Sequence, residues 1–85
     1  MTLSDLALYS SALVESVQEL HANDAIARRL KELGFVKGEE VRLVASGPVG
    51  AEPLLVQVGF TRFALRRSEA ARIVVTALQA QEGRA

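Results

Sequence analysis

The stretch Arg28-Arg29-Leu30-Lys31-Glu32-Leu33-Gly34-Phe35-Val36-Lys37-Gly38-Glu39-Glu40-Val41 decides the local fold of this chain. Its first half continues an apolar helical face that begins at Ile26, because Leu30 and Leu33 follow at i+4 and i+7. Gly34 stands directly after the last apolar helical position, where a residue in the left-handed conformation ends a helix. The sequence therefore predicts a helix that starts at a cap on Asn23 or Asp24 and stops at Gly34.

The residues after Gly34 predict a sharp corner. Phe35 is placed to fold back onto the last turn of the helix, as often happens after such a stop. Gly38 occupies the third position of the turn 36–39, where a type II turn requires glycine. Val41 and Leu43 then alternate with polar residues, which indicates a half-buried strand. We expect Gly34, Phe35 and Gly38 to form a rigid helix-to-strand junction.

The rest of the chain favours short strands around this helix. Period-two patterns predict a first strand at 12–19 and others at 41–45, 54–58, 63–66 and 73–76. Thr2 and Asp5 have the spacing of a capping box for a short helix through about Leu8, and Ser68 is placed to cap one more helical turn. Glycines and prolines predict a loop at 46–53, and residues 79–85 are expected to be a flexible tail.

This element order predicts a mainly β (α+β) fold: a small SH3-like β-barrel of about five strands with one inserted α-helix. We expect a single domain over 1–78, since the chain is too short for a seven-stranded sandwich. The predicted interior consists of Val17, Val41, Leu43, Val56, Leu65 and Val75. The helix is expected to dock across it through Ile26, Leu30 and Leu33.

Composition excludes several classes of protein. The chain has 85 residues, ten basic and ten acidic, and no cysteine. Zero net charge argues against a protein devoted to nucleic acid, and the lack of cysteine excludes disulfides and thiolate chemistry. Neither a signal peptide nor an apolar run long enough to cross a membrane is evident, so the sequence predicts a cytoplasmic protein without membrane insertion. Because no matched nucleophile, base and acid are present, we expect no enzyme.

Four segments resemble the FeoA family, whose members are small cytoplasmic proteins that accompany the ferrous-iron transporter FeoB. Residues 29–41 match the pattern R-L-x-x-L-G-(hydrophobic)-x-x-G-x-x-(hydrophobic), and residues 64–73 match A-L-R-x-x-E-A-x-x-I. The loop at 48–54 is similar to P-(hydrophobic)-G-D-P-(hydrophobic), with one extra residue and Glu52 where Asp is usual. Residues 3–6 match the opening of the family, although Tyr9 stands where glycine is common. The resemblance implies an SH3-like fold.

Six residues are candidates for contact with a partner. The 47–53 loop is either a plain hairpin connection or a loop that faces a partner and displays Val49 and Leu54. Phe60, beside Gly59, is the phenylalanine that we most expect to be exposed. The basic candidates near the last hairpin are Arg62, Arg66 and Arg67. If Arg66 and Arg67 lie on a strand they point to opposite faces, so that one braces the fold and the other meets an acidic partner.

Metal chemistry has only weak candidates. His21 and Asp24 lie three residues apart at the start of the helix, but a site for iron or zinc needs three or four converging ligands. The plainer interpretation is an exposed loop histidine beside a helix cap. Similarly, the basic residues at 28–31 are most simply a solvated helix face. The sequence predicts no cofactor.

What the resemblance implies about function is an accessory module that regulates the FeoB transporter by contacting its cytosolic GTPase region or its membrane core. The alternative is a nucleic-acid-associated or transcription-regulatory SH3-like domain, which the zero net charge disfavours. Self-association into a homodimer is compatible with the first interpretation.

Overall fold

The structure, a computed structural model, describes residues 1–78. A short 3-10 turn at Leu3–Asp5 precedes the first strand. The other elements, in chain order, are β1 (Ser11–Val17), α1 (Ala25–Leu33), β2 (Glu40–Val49), β3 (Glu52–Val58), β4 (Thr61–Leu65), α2 (Arg67–Ala70) and β5 (Ile73–Ala77). This order confirms a mainly β chain with one helix inserted after the first strand. The predicted tail at 79–85 lies outside the described residues.

The strands form one antiparallel sheet in the order β4-β3-β2-β1-β5. Register shifts in β1, between Val14 and Ser16, and in β2, between Leu43 and Ala45, indicate local bulges. Such bulges bend strands and increase their twist, which allows a small sheet to curl around its core. Within residues 1–78, β4 and β5 do not pair with each other, so the sheet is SH3-like but does not close.

The two edge strands of this open sheet, β5 and β4, differ in whether other residues cover them. The outer edge of β5 is covered by the amino terminus: Thr2 forms a β-bridge with Val74, and the Val75 amide donates to the carbonyl of Met1 at 3.0 Å. Among the described residues, β4 pairs only with β3, and its outer edge has no neighbouring strand. One edge of the sheet is therefore protected and the other is open.

The predicted corner is confirmed in each part. Gly34 ends α1 with a left-handed φ of 117°, and the amide of Phe35 donates to the carbonyl of Leu30 at 3.2 Å. Phe35 is almost completely buried against the helix end. Gly38 has a φ of 93°, and the Glu39 amide closes the turn on the carbonyl of Val36 at 3.0 Å. The junction therefore satisfies the backbone groups that the end of a helix leaves free.

The predicted interior is also confirmed, because all six of its residues are buried: Val17, Val41, Leu43, Val56, Leu65 and Val75. The prediction for the helix was partly wrong. Leu30 is buried, and Ala27 packs beside it, whereas Ile26 and Leu33 remain more than a third exposed. The helix is only nine residues long and buries only Ala27 and Leu30 on the core. Ile26 and Leu33 therefore lie at the edge of its buried face.

Local predictions at the two ends of the chain need correction. The first turn has the predicted capping box of Thr2 and Asp5 but ends at Asp5 and does not reach Leu8. Tyr9, where the family commonly has glycine, has a left-handed φ of 69°, a conformation that favours glycine. Ser68 lies inside α2 and does not cap it. The cap position belongs to Arg66, whose amide donates to the Glu69 carboxylate at 2.7 Å.

The loop predicted at 46–53 is a tight hairpin. β2 continues to Val49 and β3 begins at Glu52, so only Gly50 and Ala51 form the turn. Gly47 lies in the strand because the chain passes very close to it: a Cβ atom there would be 1.9 Å from the carbonyl oxygen of Glu52. Glycine in this segment therefore marks close backbone packing inside a strand, as well as a turn.

Candidate functional site

Phe60 forms the apolar tip of the β3–β4 turn. Its side chain is fully exposed, as the sequence predicted. The turn is held from behind, because Gln57 donates through its side-chain amide to the carbonyl of Gly59 at 3.1 Å. Arg62 in turn donates through Nε to the side-chain oxygen of Gln57 at 3.1 Å. The fold therefore presents an aromatic ring to solvent on a braced support.

Val49 lies at the other end of β3. It is 80% exposed beside the turn of the β2–β3 hairpin, whereas Leu54 is only 2% exposed. The expectation that this loop displays Leu54 is therefore wrong: the side chain enters the core between the strands. Seven residues of β3 separate the two hairpin turns and span about 23 Å. Val49 and Phe60 thus belong to opposite ends of the sheet and do not form one patch.

Arg66 and Arg67, which follow β4, have different roles. Neither lies on a strand, since β4 ends at Leu65 and α2 begins at Arg67. Arg67 braces the fold: its guanidinium donates to the carbonyl of Ser4 at 2.9 Å, and its amide donates to the carboxylate of Glu52 at 2.7 Å. Arg66 is exposed, and within the described residues its guanidinium has neither an ion pair nor a hydrogen bond. Arg66 is thus available to meet an acidic group.

A groove of about 300 Å³ lies between α1 and β4. Its walls are mostly apolar and come from Ile26, Leu30, Leu33, Phe63, Ala64 and Leu65. Phe63 is half-buried and packs on Phe35 with the ring centroids 5.6 Å apart, which fixes the sheet side of the groove. Arg29 and Glu69 lie at its rim. The sequence predictions do not include this groove. The signal for it is the apolar face formed by Ile26, Leu30 and Leu33, which is wider than the part of α1 that the core buries.

Asp24 is the most buried polar residue described. Its carboxylate accepts hydrogen bonds from the amides of Leu20, Ile26 and Ala27 at 3.0–3.2 Å and from Arg72 Nε at 2.8 Å. Arg72 is itself buried and also donates to the carbonyl of Ser68 at 2.7 Å. The hydrogen bond from Arg72, followed by the one from the Leu20 amide, holds the pKa of the Asp24 carboxyl well below its usual range. Asp24 therefore caps α1 and joins it to the segment that precedes β5.

The sequence predicts a cap on Asn23 or Asp24, of which the structure selects Asp24, and it does not predict the partner of this residue. A charged residue at position 72, between Ala71 and Ile73, is an indication of a buried ion pair. His21, the other weak metal candidate, is exposed, with Nε2 3.8 Å from Oδ1 of Asp24. Across positions 1–78, no group of three or more His, Cys, Asp and Glu side chains could hold a metal ion. Asp24 already has four donors around it, so its role here is structural.

Basic side chains line the outer face of α1. Arg28, Arg29 and Lys31 are all exposed, which fits the interpretation of a solvated helix face. The only ion pairs between residues 1 and 78 involve Asp24, so these three side chains have no acidic neighbour in contact.

As for the helices themselves, none in the described part of the chain is long and apolar enough to cross a membrane.

Comparison with known proteins gives consistent results. A family model described as the FeoA domain matches residues 1–77. The crystal structure of Stenotrophomonas maltophilia FeoA complexed with zinc, described as a prokaryotic SH3 domain protein and a candidate ferrous-iron transport activating factor, is 83% identical, with 88% of each chain covered and a TM-score of 0.83. The solution structure of Chlorobium tepidum FeoA is 34% identical over 99% of this chain and 76% of that one, with a TM-score of 0.80. No curated protein matches the chain.

Proposed function

The chain belongs to the FeoA family of small SH3-like proteins associated with ferrous-iron transport, and from that membership we propose that it is a cytoplasmic, non-catalytic module that docks on the cytosolic part of the FeoB transporter and regulates it. The family supplies the transport context. The choice of FeoB as the partner is the step that needs testing.

Phe60 carries the proposal. A fully exposed aromatic ring contributes nothing to the core of this fold, and its removal from water is favourable only when another surface covers it. Aromatic side chains are also among the residues that most often dominate the binding energy of protein interfaces. Because Gln57 and Arg62 hold the turn in place, little ordering entropy is lost when the ring docks.

The direct test is calorimetric titration of the soluble cytosolic region of FeoB with this protein, with and without guanine nucleotides. We expect saturable binding that changes with the bound nucleotide. Phe60→Ser should weaken the binding by about tenfold or more, the effect expected of an interface anchor worth over 1.4 kcal/mol. The thermal stability of the Phe60→Ser variant should equal that of the unmodified protein.

Val49→Ser is the matched variant, since it removes an exposed apolar side chain at the opposite end of β3. A loss of binding in both variants would mean that the partner spans the length of the sheet, and a loss in Phe60→Ser alone would assign contact to the β3–β4 turn. Absence of binding to the soluble region, repeated with the full-length transporter in detergent, would contradict the proposal.

A further inference from the structure

The open edge of β4 offers backbone hydrogen-bonding groups to another chain. In an antiparallel sheet, alternate residues of an edge strand direct their N–H and C=O groups away from the neighbouring strand. The sheet covers the equivalent groups of β5 with Met1 and Thr2, whereas β4 has no such cover within residues 1–78. An exposed edge of this kind is a template for strand addition.

The groove beside α1 runs along this same edge. Three consecutive residues of β4, Phe63, Ala64 and Leu65, all line it. Because successive side chains of a strand point to opposite faces, lining by three residues in a row indicates a cavity that lies along the edge of the strand. On its other side the half-exposed Ile26 and Leu33 supply an apolar wall. An added strand would therefore find backbone partners on β4 and a pocket for its apolar side chains against α1.

Three arginines lie at or near this edge. Arg29 lines the groove on the helix side, Arg62 is the second residue of β4, and Arg66 directly follows the last residue of the strand. None of the three has an ion pair in the described part of the chain. Against these three positive charges the groove has one acidic lining residue, Glu69, whose carboxylate accepts a hydrogen bond from the Arg66 amide. The charge around the edge therefore favours a ligand that carries carboxylates.

The same arginines disfavour pairing of β4 with a second copy of this chain. An antiparallel twofold pair centred on Arg62 or on Ala64 would place arginines directly opposite each other, as Arg62 against Arg62 or Arg62 against Arg66. A pair centred on Phe63 would place Arg62 diagonally across from Arg62 and Arg66 of the other copy. Like charges directly opposite each other are destabilising, and diagonal neighbours are still within reach of long side chains. The edge is thus protected against self-association and open to an acidic strand.

We propose that β4 and the groove beside α1 bind an extended peptide segment in which apolar residues alternate with Asp or Glu, by addition of that segment as a further strand of the sheet. This inference rests on the proposed docking role in so far as the segment belongs to the transporter. The site itself is defined by the edge, the groove and the three arginines, and it can be tested without any transporter.

The probe is a short fluorescein-labelled peptide in which Val alternates with Glu, titrated with this protein and followed by fluorescence anisotropy. We expect saturable binding, and no binding of the matched peptide in which Lys replaces Glu. Hydrogen exchange measured by NMR should slow at alternate amides of β4 when the peptide binds, because those amides gain hydrogen-bond partners. Binding without protection of β4 amides would overturn strand addition.

Two charge variants provide a matched comparison on one helix. Arg29→Glu reverses a charge at the rim of the groove and should weaken peptide binding by about tenfold. Arg28→Glu changes the net charge equally but lies away from the groove, and should have little effect. Equal losses in both variants would mean that only the overall charge attracts the peptide, which contradicts the proposed site.

Two apolar variants test the groove wall in the same way. Leu33→Glu places a carboxylate in the wall and should abolish peptide binding, whereas Val36→Glu alters a similarly exposed apolar residue outside it. If Leu33→Glu fails to fold, the Arg29 and Arg28 pair still decides the question. Tight binding of a single-stranded RNA probe that displaces the peptide and falls steeply with salt would overturn the proposal in favour of nucleic acid.

The outcome is separable from that of the FeoB experiment. Peptide binding together with no affinity for FeoB would leave the strand-addition site standing and remove the transporter as its source. Conversely, FeoB binding that is lost in Phe60→Ser and unaffected in Arg29→Glu, with no peptide binding, would retain the docking role and overturn the groove as its site.

Discussion

Gly34 and Gly47 are required for different physical reasons. At Gly34 the backbone has a left-handed φ of 117°, and a Cβ atom would meet nothing within 4 Å. At Gly47 no left-handed φ is involved, but a Cβ atom would collide with the carbonyl oxygen of Glu52. The first glycine relieves conformational strain and the second permits close packing of two strands.

Replacement of each glycine by alanine separates these two effects. Gly34→Ala should lower the free energy of unfolding by about 1–2 kcal/mol, the strain of a left-handed residue with a Cβ atom. Gly47→Ala should lower the free energy of unfolding by more, about 3 kcal/mol, because the two strands must move apart to make room for the Cβ atom. Urea denaturation measures both. If Gly47→Ala lowers the free energy of unfolding no more than Gly34→Ala does, the β2–β3 hairpin accommodates the added Cβ atom at a smaller cost than we expect.

At the scale of elements, the β2–β3 hairpin distinguishes a surface position from a core position. Val49 is exposed and Leu54 is buried, although both were expected on one loop. Leu54→Ala should reduce the free energy of unfolding by about 3 kcal/mol through the cavity it leaves, whereas Val49→Ala should change it by less than about 0.5 kcal/mol. Thermal or urea unfolding of the two variants checks this difference, and similar stabilities would contradict the described register.

The success of the sequence predictions follows the range of the interactions involved. The helix, its stop at Gly34 and the turn at Gly38 depend on residues a few positions apart, and period-two patterns identified the buried faces of the strands. The sequence predicts a loop at 46–53 where the structure has a tight hairpin, because Gly47 serves a close contact with Glu52 that no local pattern reveals. The groove beside α1 and the pairing of Arg72 with Asp24 depend on tertiary packing, so the sequence gives only indirect signals of them: a wide apolar helix face and an arginine between Ala71 and Ile73.

For the whole molecule, the Asp24–Arg72 pair links stability to pH. The folded protein keeps the Asp24 pKa below that of the unfolded chain, chiefly through the hydrogen bond from Arg72. Below pH about 4, the usual pKa of aspartate, the unfolded chain therefore binds a proton that the folded protein does not. The stabilisation is complete above this pH and is lost progressively as the pH falls further.

Asp24→Asn tests this linkage. The variant should be less stable at neutral pH, since the buried Arg72 loses its counter-charge, and its stability should fall less between pH 4 and 2 than that of the unmodified protein. Asp5→Asn is the exposed comparison: the pKa of Asp5 is also lowered, first by a hydrogen bond with the Thr2 backbone, so this substitution should alter the pH dependence of stability in the same sense but by less, because solvent screens an exposed carboxylate. Urea unfolding across this pH range provides the measurement, and parallel curves for Asp24→Asn and the unmodified protein would refute it.

The Asp24–Arg72 contact also bears on when the protein can fold in the cell. Its two residues are 48 positions apart, and β1 pairs with β5, the last strand of the described chain. During translation the helix cap is synthesised before the guanidinium that pairs with it, and β1 has no β5 to pair with until residues 73–77 have been made. Native structure should therefore not form until Arg72 and β5 have been synthesised. Nascent chains stalled on the ribosome before Arg72 should remain open to proteases.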